Sequence, residues 1–160
     1  MLYTTHPSPL GELLLAGPER EVLALVSVPG QKGAPTVGPG WRRDDEAHRG
    51  AREQFDAYFA GELREFDLRH VTRGTAFRER VWAALDRIPY GTTATYGQVA
   101  RMAGVDPRAA RAVGGAVGAN PLTVVHPCHR VVGADGSLTG FAGGLARKRT
   151  LLALEGVSLP

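Results

Sequence analysis

The chain has 160 residues, of which 43% are hydrophobic and 22% charged, proportions typical of a globular protein with a core of its own. No stretch approaches the ~20 apolar residues of a membrane helix, and the N-terminal residues lack the apolar segment of a signal peptide, so we expect a cytoplasmic protein with no membrane contact. The single cysteine excludes an intramolecular disulfide and a cysteine-rich zinc site.

The net charge of +3 conceals a difference between the two parts of the chain. Residues 1–72 contain 8 Lys and Arg against 11 Asp and Glu, which gives −3, whereas residues 73–160 contain 11 against 5, which gives +6. The second part is therefore the one expected to face a polyanion.

Short apolar or alternating runs separated by Pro and Gly predict a small antiparallel sheet from residues 2–5, 12–16 and 22–28. After a loop over 29–40, Asp44 is predicted to cap a helix that ends at Gly61. The buried face of this helix is expected to consist of Ala47, Ala51, Phe55, Tyr58 and Phe59.

Residues 63–71 alternate loosely and predict a strand, whose charged residues make it either an edge or a connector. The histidines of this part, His6, His48 and His70, have no ligand spacing, so we expect surface or satisfied histidines and no metal. Residues 1–72 are therefore predicted to be a structural scaffold.

In the second part, Thr75 is predicted to cap a helix with an apolar face, which 88–91 interrupts. That face is expected to consist of Phe77, Val81, Trp82 and Leu85. Thr95 and Gln98 form a capping box that opens a helix to about residue 103. Asp106 and Pro107 then open another helix that runs to about residue 118, so the pair predicts a helix-turn-helix.

The second helix of this pair has almost no bulky side chains, since it contains Ala109, Ala110, Ala112, Gly114, Gly115, Ala116 and Gly118. So many glycines disfavour a helix, which indicates that the smooth surface serves a close approach. The residues alone leave open whether another helix or a DNA groove approaches it.

Cys128 lies between apolar runs at 122–125 and 131–132, which predict strands on either side of a tight turn over 127–130. Such a turn would hold the thiol at a sheet edge or pocket mouth. His126, His129 and Arg130 supply positive charge or proton acceptors, which lower a thiol pKa, so the pattern favours a nucleophile with His129 as its base. The alternative is a cysteine that serves as a small buried hydrophobe.

Asp135 and Gly136 predict a turn, residues 139–144 a glycine-rich loop, and a final helix packs to Glu155 and ends at Gly156. Residues 127–132, 140–145 and 151–156 closely resemble the signature of the O6-alkylguanine-DNA alkyltransferases. The resemblance extends back to about Thr75, whereas the first seventy residues match only in length and general pattern.

Together with these patterns, the resemblance implies an α+β protein. Residues 1–72 form an N-terminal scaffold domain with an antiparallel sheet and a helix. Residues 73–160 form a mostly helical, winged-helix-like domain that binds DNA and accepts the alkyl group. The implied activity is repair of double-stranded DNA by a monomer without a cofactor. The alkyl group of O6-alkylguanine, and by extension of O4-alkylthymine, passes irreversibly to Cys128 after the nucleotide is flipped out.

The resemblance also implies roles for particular residues. Glu155 orients His129, and Tyr96 presses on the phosphate and is the candidate proton donor to the base. Arg111 enters the vacated stack. The implied DNA-binding residues are Arg111, Ala109, Ala110, Gly114, Gly115, Asn120 (the hinge of the loop to the active site) and Arg130. The implied pocket residues are Tyr96, Asn120, Pro127, Val131, Phe141, Ala142 and Gly143.

Two positions depart from the commonest family pattern, since Phe141 stands where tyrosine is frequent and Ala142 where some members have serine. The preferred lesion and alkyl size therefore stay open. Two other function classes also compete: a damage-sensing DNA-binding protein without catalysis, against which Cys128 argues, and a Cys-His hydrolase, whose known signatures are absent from this sequence.

Overall fold

The computed structural model describes residues 1–159 and divides into two compact units. The first unit comprises Met1–Thr72 together with Pro121–Val125, and the second comprises Arg73–Asn120 and the residues from His126 onward. The sequence predicts domains over residues 1–72 and 73–160. These ranges differ from the two units only in that residues 121–125 belong to the first unit. No helix within residues 1–159 is long and apolar enough to cross a membrane.

The first unit contains a four-stranded sheet in the order β3-β2-β1-β4. Its strands are β1 (Leu2–His6), β2 (Leu13–Gly17), β3 (Leu25–Ser27) and β4 (Arg42–Arg43). The first three pair antiparallel as the sequence predicts, whereas β4 adds a parallel edge to β1. Helix α1 (Arg49–Phe59) buries three side chains, Ala51, Phe55 and Tyr58.

Two predictions for this unit are wrong. Helix α1 begins after His48, which offers no side-chain cap, while the Asp44 carboxylate instead accepts from the Glu46 amide in the preceding turn. The predicted strand over 63–71 is absent, since this segment has a bend at residues 64–65 and a single bridge between His70 and Leu23. The Gln54 side chain bonds both the amide and the carbonyl of Asp67, so a side chain takes the place of a neighbouring strand.

The second unit contains four helices and a two-stranded parallel sheet. Its elements are α2 (Ala76–Leu85), β5 (Ala94–Thr95), α3 (Tyr96–Met102), α4 (Ala110–Gly118), β6 (Val131–Val132) and α5 (Leu145–Leu154). Thr75 caps α2, the Thr95 capping box opens α3, and Asp106 caps a 3₁₀ turn, Pro107–Ala109, that leads into α4. These three caps confirm the sequence predictions.

Small residues in α4 allow a close approach inside the second unit. The indole nitrogen of Trp82 on α2 donates to the Ala116 carbonyl over 2.8 Å, and both residues belong to the core. The buried side chains of α4 are Val113, Ala116 and Val117, and the small side chain of Ala116 lies on the face that meets α2. One face of α4 therefore serves helix packing, the alternative that the sequence had left open.

The residues around the cysteine differ from the predicted strand-turn-strand. Residues 122–125 form no strand; Leu122 makes one bridge to Val26, whose amide and carbonyl bond Pro121 and Thr123 within the first unit. The predicted tight turn is a 3₁₀ helix, Cys128–Arg130. Only the second predicted strand, β6, is present.

Candidate active site

The thiol of Cys128 is placed by the two short parallel strands of the second unit. Cys128 opens the 3₁₀ turn that leads into β6, and β6 pairs with β5, which is followed at once by Tyr96. Cys128 precedes β6 and Tyr96 follows β5, so they flank opposite ends of this parallel pair, and both belong to or pack against the same core cluster although 32 positions separate them in the sequence. Cys128 is only 6% exposed, so the thiol is buried rather than held at an exposed sheet edge.

Three buried groups form the strongest charge cluster of this unit: His129, Arg130 and Glu155. The His129 Nε2 lies 2.7 Å from Glu155 Oε2, and Arg130 donates to both oxygens of the same carboxylate over 2.7 and 3.0 Å. A third guanidinium nitrogen donates to the Ile88 carbonyl over 2.6 Å. The side chains of His129 and Glu155 are fully buried, so the carboxylate is neutralised and fixed inside the protein.

The free ring nitrogen of His129 allows this cluster to accept a proton. Because Nε2 faces a carboxylate, the bond assigns the proton to Nε2 and leaves a lone pair on Nδ1. Within residues 1–159, Nδ1 is buried and has no hydrogen-bond partner. Burial is the main cause that lowers the pKa of His129 below its usual value, with Glu155 opposing, so the ring is neutral near pH 7. A neutral imidazole with a free nitrogen can accept a proton.

The environment of the thiol differs from the one predicted from its basic neighbours. Burial raises the pKa of Cys128, while a hydrogen bond from the Asn120 side chain and the charge of Lys148 act in the opposite direction. His126 is turned toward Asp86, with 2.6 Å between its Nδ1 and the carboxylate, and Arg130 is committed to Glu155. The resting cysteine is therefore a thiol, and it needs a base to react.

Lys148 on α5 is a cation whose charge favours the thiolate of Cys128. The sequence analysis did not predict this role. Its side chain is fully buried, and its Nζ donates to the Val131 carbonyl over 2.5 Å and to the Thr139 carbonyl over 3.0 Å. Burial lowers its pKa to about 8. The signal was present, because Lys148 precedes the buried Leu151 and Leu152 by three and four residues and so lies on the inward face of the helix.

Asn120 closes the other side of the loop that carries the cysteine. Its side-chain nitrogen donates to the His126 carbonyl over 2.9 Å, and that carbonyl also accepts from the Cys128 amide over 2.7 Å. At 5% exposure, Asn120 supports the loop from inside. The expected roles of Asn120 in DNA binding and as a hinge stay predictions.

Tyr96 bridges the loop after β6 and helix α4. Its hydroxyl lies 3.0 Å from Thr139 Oγ1, and a Cβ added to Gly114 would lie 3.7 Å from its ring. Tyr96 is half-buried and packs against the core cluster that includes Cys128. One side of the Tyr96 ring therefore packs against the protein, and the rest of the side chain is accessible to a ligand.

The predicted DNA-binding and pocket residues differ in their exposure to solvent. Arg111 and Gly115 are exposed on α4, and Ala109, Ala110 and Gly114 are half-buried on the same turn and helix. Of the other pocket residues, Pro127, Val131 and Gly143 are buried, whereas Phe141 and Ala142 are half-buried. Arg130 is 7% exposed and donates to Glu155, and its DNA-binding role stays a prediction.

Family models match both parts of the chain. Residues 1–70 match the ribonuclease-like domain of 6-O-methylguanine DNA methyltransferase, and residues 76–157 match its DNA-binding domain. The chain is 53% identical over 153 residues to the methylated-DNA–protein-cysteine methyltransferase of Mycolicibacterium paratuberculosis, covering 96% of this chain and 91% of that protein. It is 48% identical to the protein of the same name from Methanosarcina acetivorans, covering 98% and 99%.

A solved structure gives the same result for the fold. The crystal structure of Mycobacterium tuberculosis OGT in complex with DNA is similar to this chain with a TM-score of 0.93 and 49% identity. The similarity covers 98% of this chain and 93% of the other. The predicted α+β fold, with an N-terminal sheet and a helical C-terminal part, is thereby confirmed.

Proposed function

The chain belongs to the 6-O-methylguanine DNA methyltransferase family, and from this membership we propose which of its residues carry out the reaction. Its activity is alkyl transfer from DNA to a protein cysteine, a DNA-repair reaction. We propose that Cys128, the only cysteine of the chain, accepts the alkyl group of O6-alkylguanine, and that each molecule reacts once.

The observation that supports this assignment is the free, buried Nδ1 of His129, the residue that directly follows Cys128. Glu155 holds Nε2, and Nδ1 keeps a lone pair in a buried position, which suits a base that removes the Cys128 proton directly or through one water. The sulfur then attacks the alkyl carbon in line with the departing guanine oxygen. The product is a thioether, which unlike a thioester has no easy hydrolysis, so the site is not regenerated.

We further propose that double-stranded DNA containing alkylated bases binds across α4. A thiol that is 6% exposed cannot reach a base inside a stacked duplex, so the nucleotide must be rotated out into the site. Arg111 is exposed on α4, and among the described residues its guanidinium has no hydrogen-bond or ion-pair partner, which suits a side chain that enters the vacated stack. Tyr96 is the proposed donor to the departing base.

The remaining proposals concern the whole molecule. Residues 1–72 act as a scaffold domain, and residues 73–160 bind DNA and accept the alkyl group. Every residue assigned to the reaction lies in the second unit of a single chain, which supports a monomer as the working form. A lone reactive thiol persists in a reducing compartment, which supports a cytoplasmic location.

The first experiment is intact-protein mass spectrometry after incubation with excess duplex oligonucleotide that carries O6-methylguanine, followed by peptide mapping. We expect a gain of one methyl group on Cys128 and repaired DNA equal to protein in moles. The Cys128→Ala variant is expected to bind the same duplex without any gain in mass. Methylation of that variant, or repair of many lesions per protein, contradicts the proposed nucleophile or the single turnover.

A further inference from the structure

Thr139, in the loop between β6 and α5, is held at three points. Its Oγ1 lies 3.0 Å from the Tyr96 hydroxyl, and its carbonyl accepts from Lys148 Nζ over 3.0 Å. Its methyl group lies against Gly133, where an added Cβ would come within 3.2 Å of Thr139 Cγ2. A side chain fixed in this way presents its hydroxyl to one neighbour in a defined direction.

We propose that Thr139 is a positioning residue for alkyl transfer, and that its hydroxyl donates to the phenolic oxygen of Tyr96. This inference rests on the proposed function, in which Tyr96 gives a proton to the departing base. Either hydroxyl can be the donor at 3.0 Å. Only when Thr139 donates is the proton of Tyr96 free to point toward the base, because a phenol has a single hydrogen.

The hydrogen bond also favours the transition state over the resting state. As the sulfur forms its bond to carbon, the carbon–oxygen bond breaks and its electron pair goes to the guanine. The Tyr96 proton moves to that guanine, and negative charge develops on the phenolic oxygen. A donor already aimed at this oxygen binds the charge more strongly than the neutral phenol. The proton that His129 took from the thiol balances the one lost by Tyr96, through solvent.

Lys148 connects this device to the cysteine. The ammonium group that bonds the Thr139 carbonyl also opposes, by its charge, the burial that raises the pKa of Cys128. Lys148 therefore anchors the backbone of Thr139 and also favours the thiolate of Cys128. One side chain of α5 thus acts on the thiol by its charge and on the loop that carries Thr139 by a hydrogen bond.

The test combines Thr139→Val, which keeps the shape and removes the hydroxyl, with Thr139→Ser, which keeps the hydroxyl. Single-turnover methyl transfer is measured at increasing concentrations of duplex carrying O6-methylguanine. We expect Thr139→Val to lower the rate at saturation about tenfold, the effect of one lost hydrogen bond, without raising the half-saturating DNA concentration. Thr139→Ser is expected to restore the rate.

A double-mutant cycle separates positioning from general damage to the loop. In a Tyr96→Phe background, which lacks the phenolic oxygen, Thr139→Val is expected to have no further effect. Ser137→Ala, in the same loop, is the matched control and should react like the wild type. An equal loss in the Phe background, a slow Ser variant or an effect on half-saturation alone overturns the inference. A wild-type protein that forms no methylcysteine overturns the proposed function itself, and the two failures are thereby told apart.

Discussion

Each of the two units contains a buried histidine that bonds a carboxylate close to an arginine, but the arginine donates to a different group in each unit. In the first unit, His6 Nε2 lies 2.6 Å from Asp56, and Arg52 donates to its Nδ1 over 3.2 Å. In the second unit, the arginine donates to the carboxylate of Glu155 instead, and Nδ1 of His129 keeps its lone pair.

This difference shows that residue types do not by themselves make a base. An imidazole with both nitrogens engaged, as in His6, is a structural connection between β1 and α1. An imidazole with one nitrogen engaged and the other free, as in His129, can accept a proton. Burial differs as well, since the Asp56 side chain is 68% exposed and that of Glu155 is fully buried.

The largest expected effect is on alkyl transfer when each histidine is replaced. We expect His129→Gln to lower the single-turnover rate by about 10²–10⁴, the usual contribution of a general base. His6→Gln should leave the rate within about twofold, because His6 has no free nitrogen to use. The measurement is methyl transfer from saturating O6-methylguanine duplex, and equal losses in the two variants would remove the distinction between the two clusters.

The second expected effect is on stability when each carboxylate is neutralised. Glu155→Gln leaves the buried Arg130 without a counter-charge, and we expect the free energy of unfolding to fall by about 3–5 kcal/mol. Asp56→Asn removes an exposed partner and should cost at most about 1 kcal/mol. Urea denaturation measures both. Similar losses would show that Glu155 is solvated in the working protein.

The smallest expected effect is a dependence of stability on pH from His129. Its pKa in the folded chain lies below 6.5, chiefly because of burial. Between 6.5 and that lower value the unfolded chain binds a proton that the folded chain does not, so stability falls as the pH falls through this window. The loss is at most about 1.4 kcal/mol per pH unit. The urea midpoints at about pH 7 and about pH 5 should therefore lie closer together in His129→Gln, which lacks this loss, than in the wild type; an unchanged difference would contradict the prediction.

Local patterns were the part of the fold that the sequence predicted best. Thr75, Thr95 and Asp106 cap their elements as expected, and Gly61 and Gly156 follow the helices α1 and α5 with φ of 77° and 79°. Each of these features depends on residues within a few positions of one another, and therefore needs no knowledge of the rest of the chain.

Segments whose backbone partners come from far away were predicted poorly. The alternation in residues 63–71 indicates one buried face, but Gln54, a side chain from α1, satisfies the backbone there. Residues 122–125 are mostly apolar like a strand, yet Leu122 makes only one bridge, to Val26, through the backbone of Pro121 and Thr123. Hydrophobic alternation reports burial; it does not report which group supplies the hydrogen bonds.

The sequence by itself determined the nucleophile candidate, its neighbouring histidine and the family, because one cysteine in a distinctive motif is a local property. Only the tertiary structure decided what the charged neighbours do: Arg130 turns inward to Glu155, His126 turns to Asp86, and Lys148 reaches the loop beside the thiol. Charges act over distances of a few ångströms, and those distances are set by packing between distant parts of the chain. Burial, which raises the pKa of Cys128 against its basic neighbours, is likewise a property of the folded molecule alone.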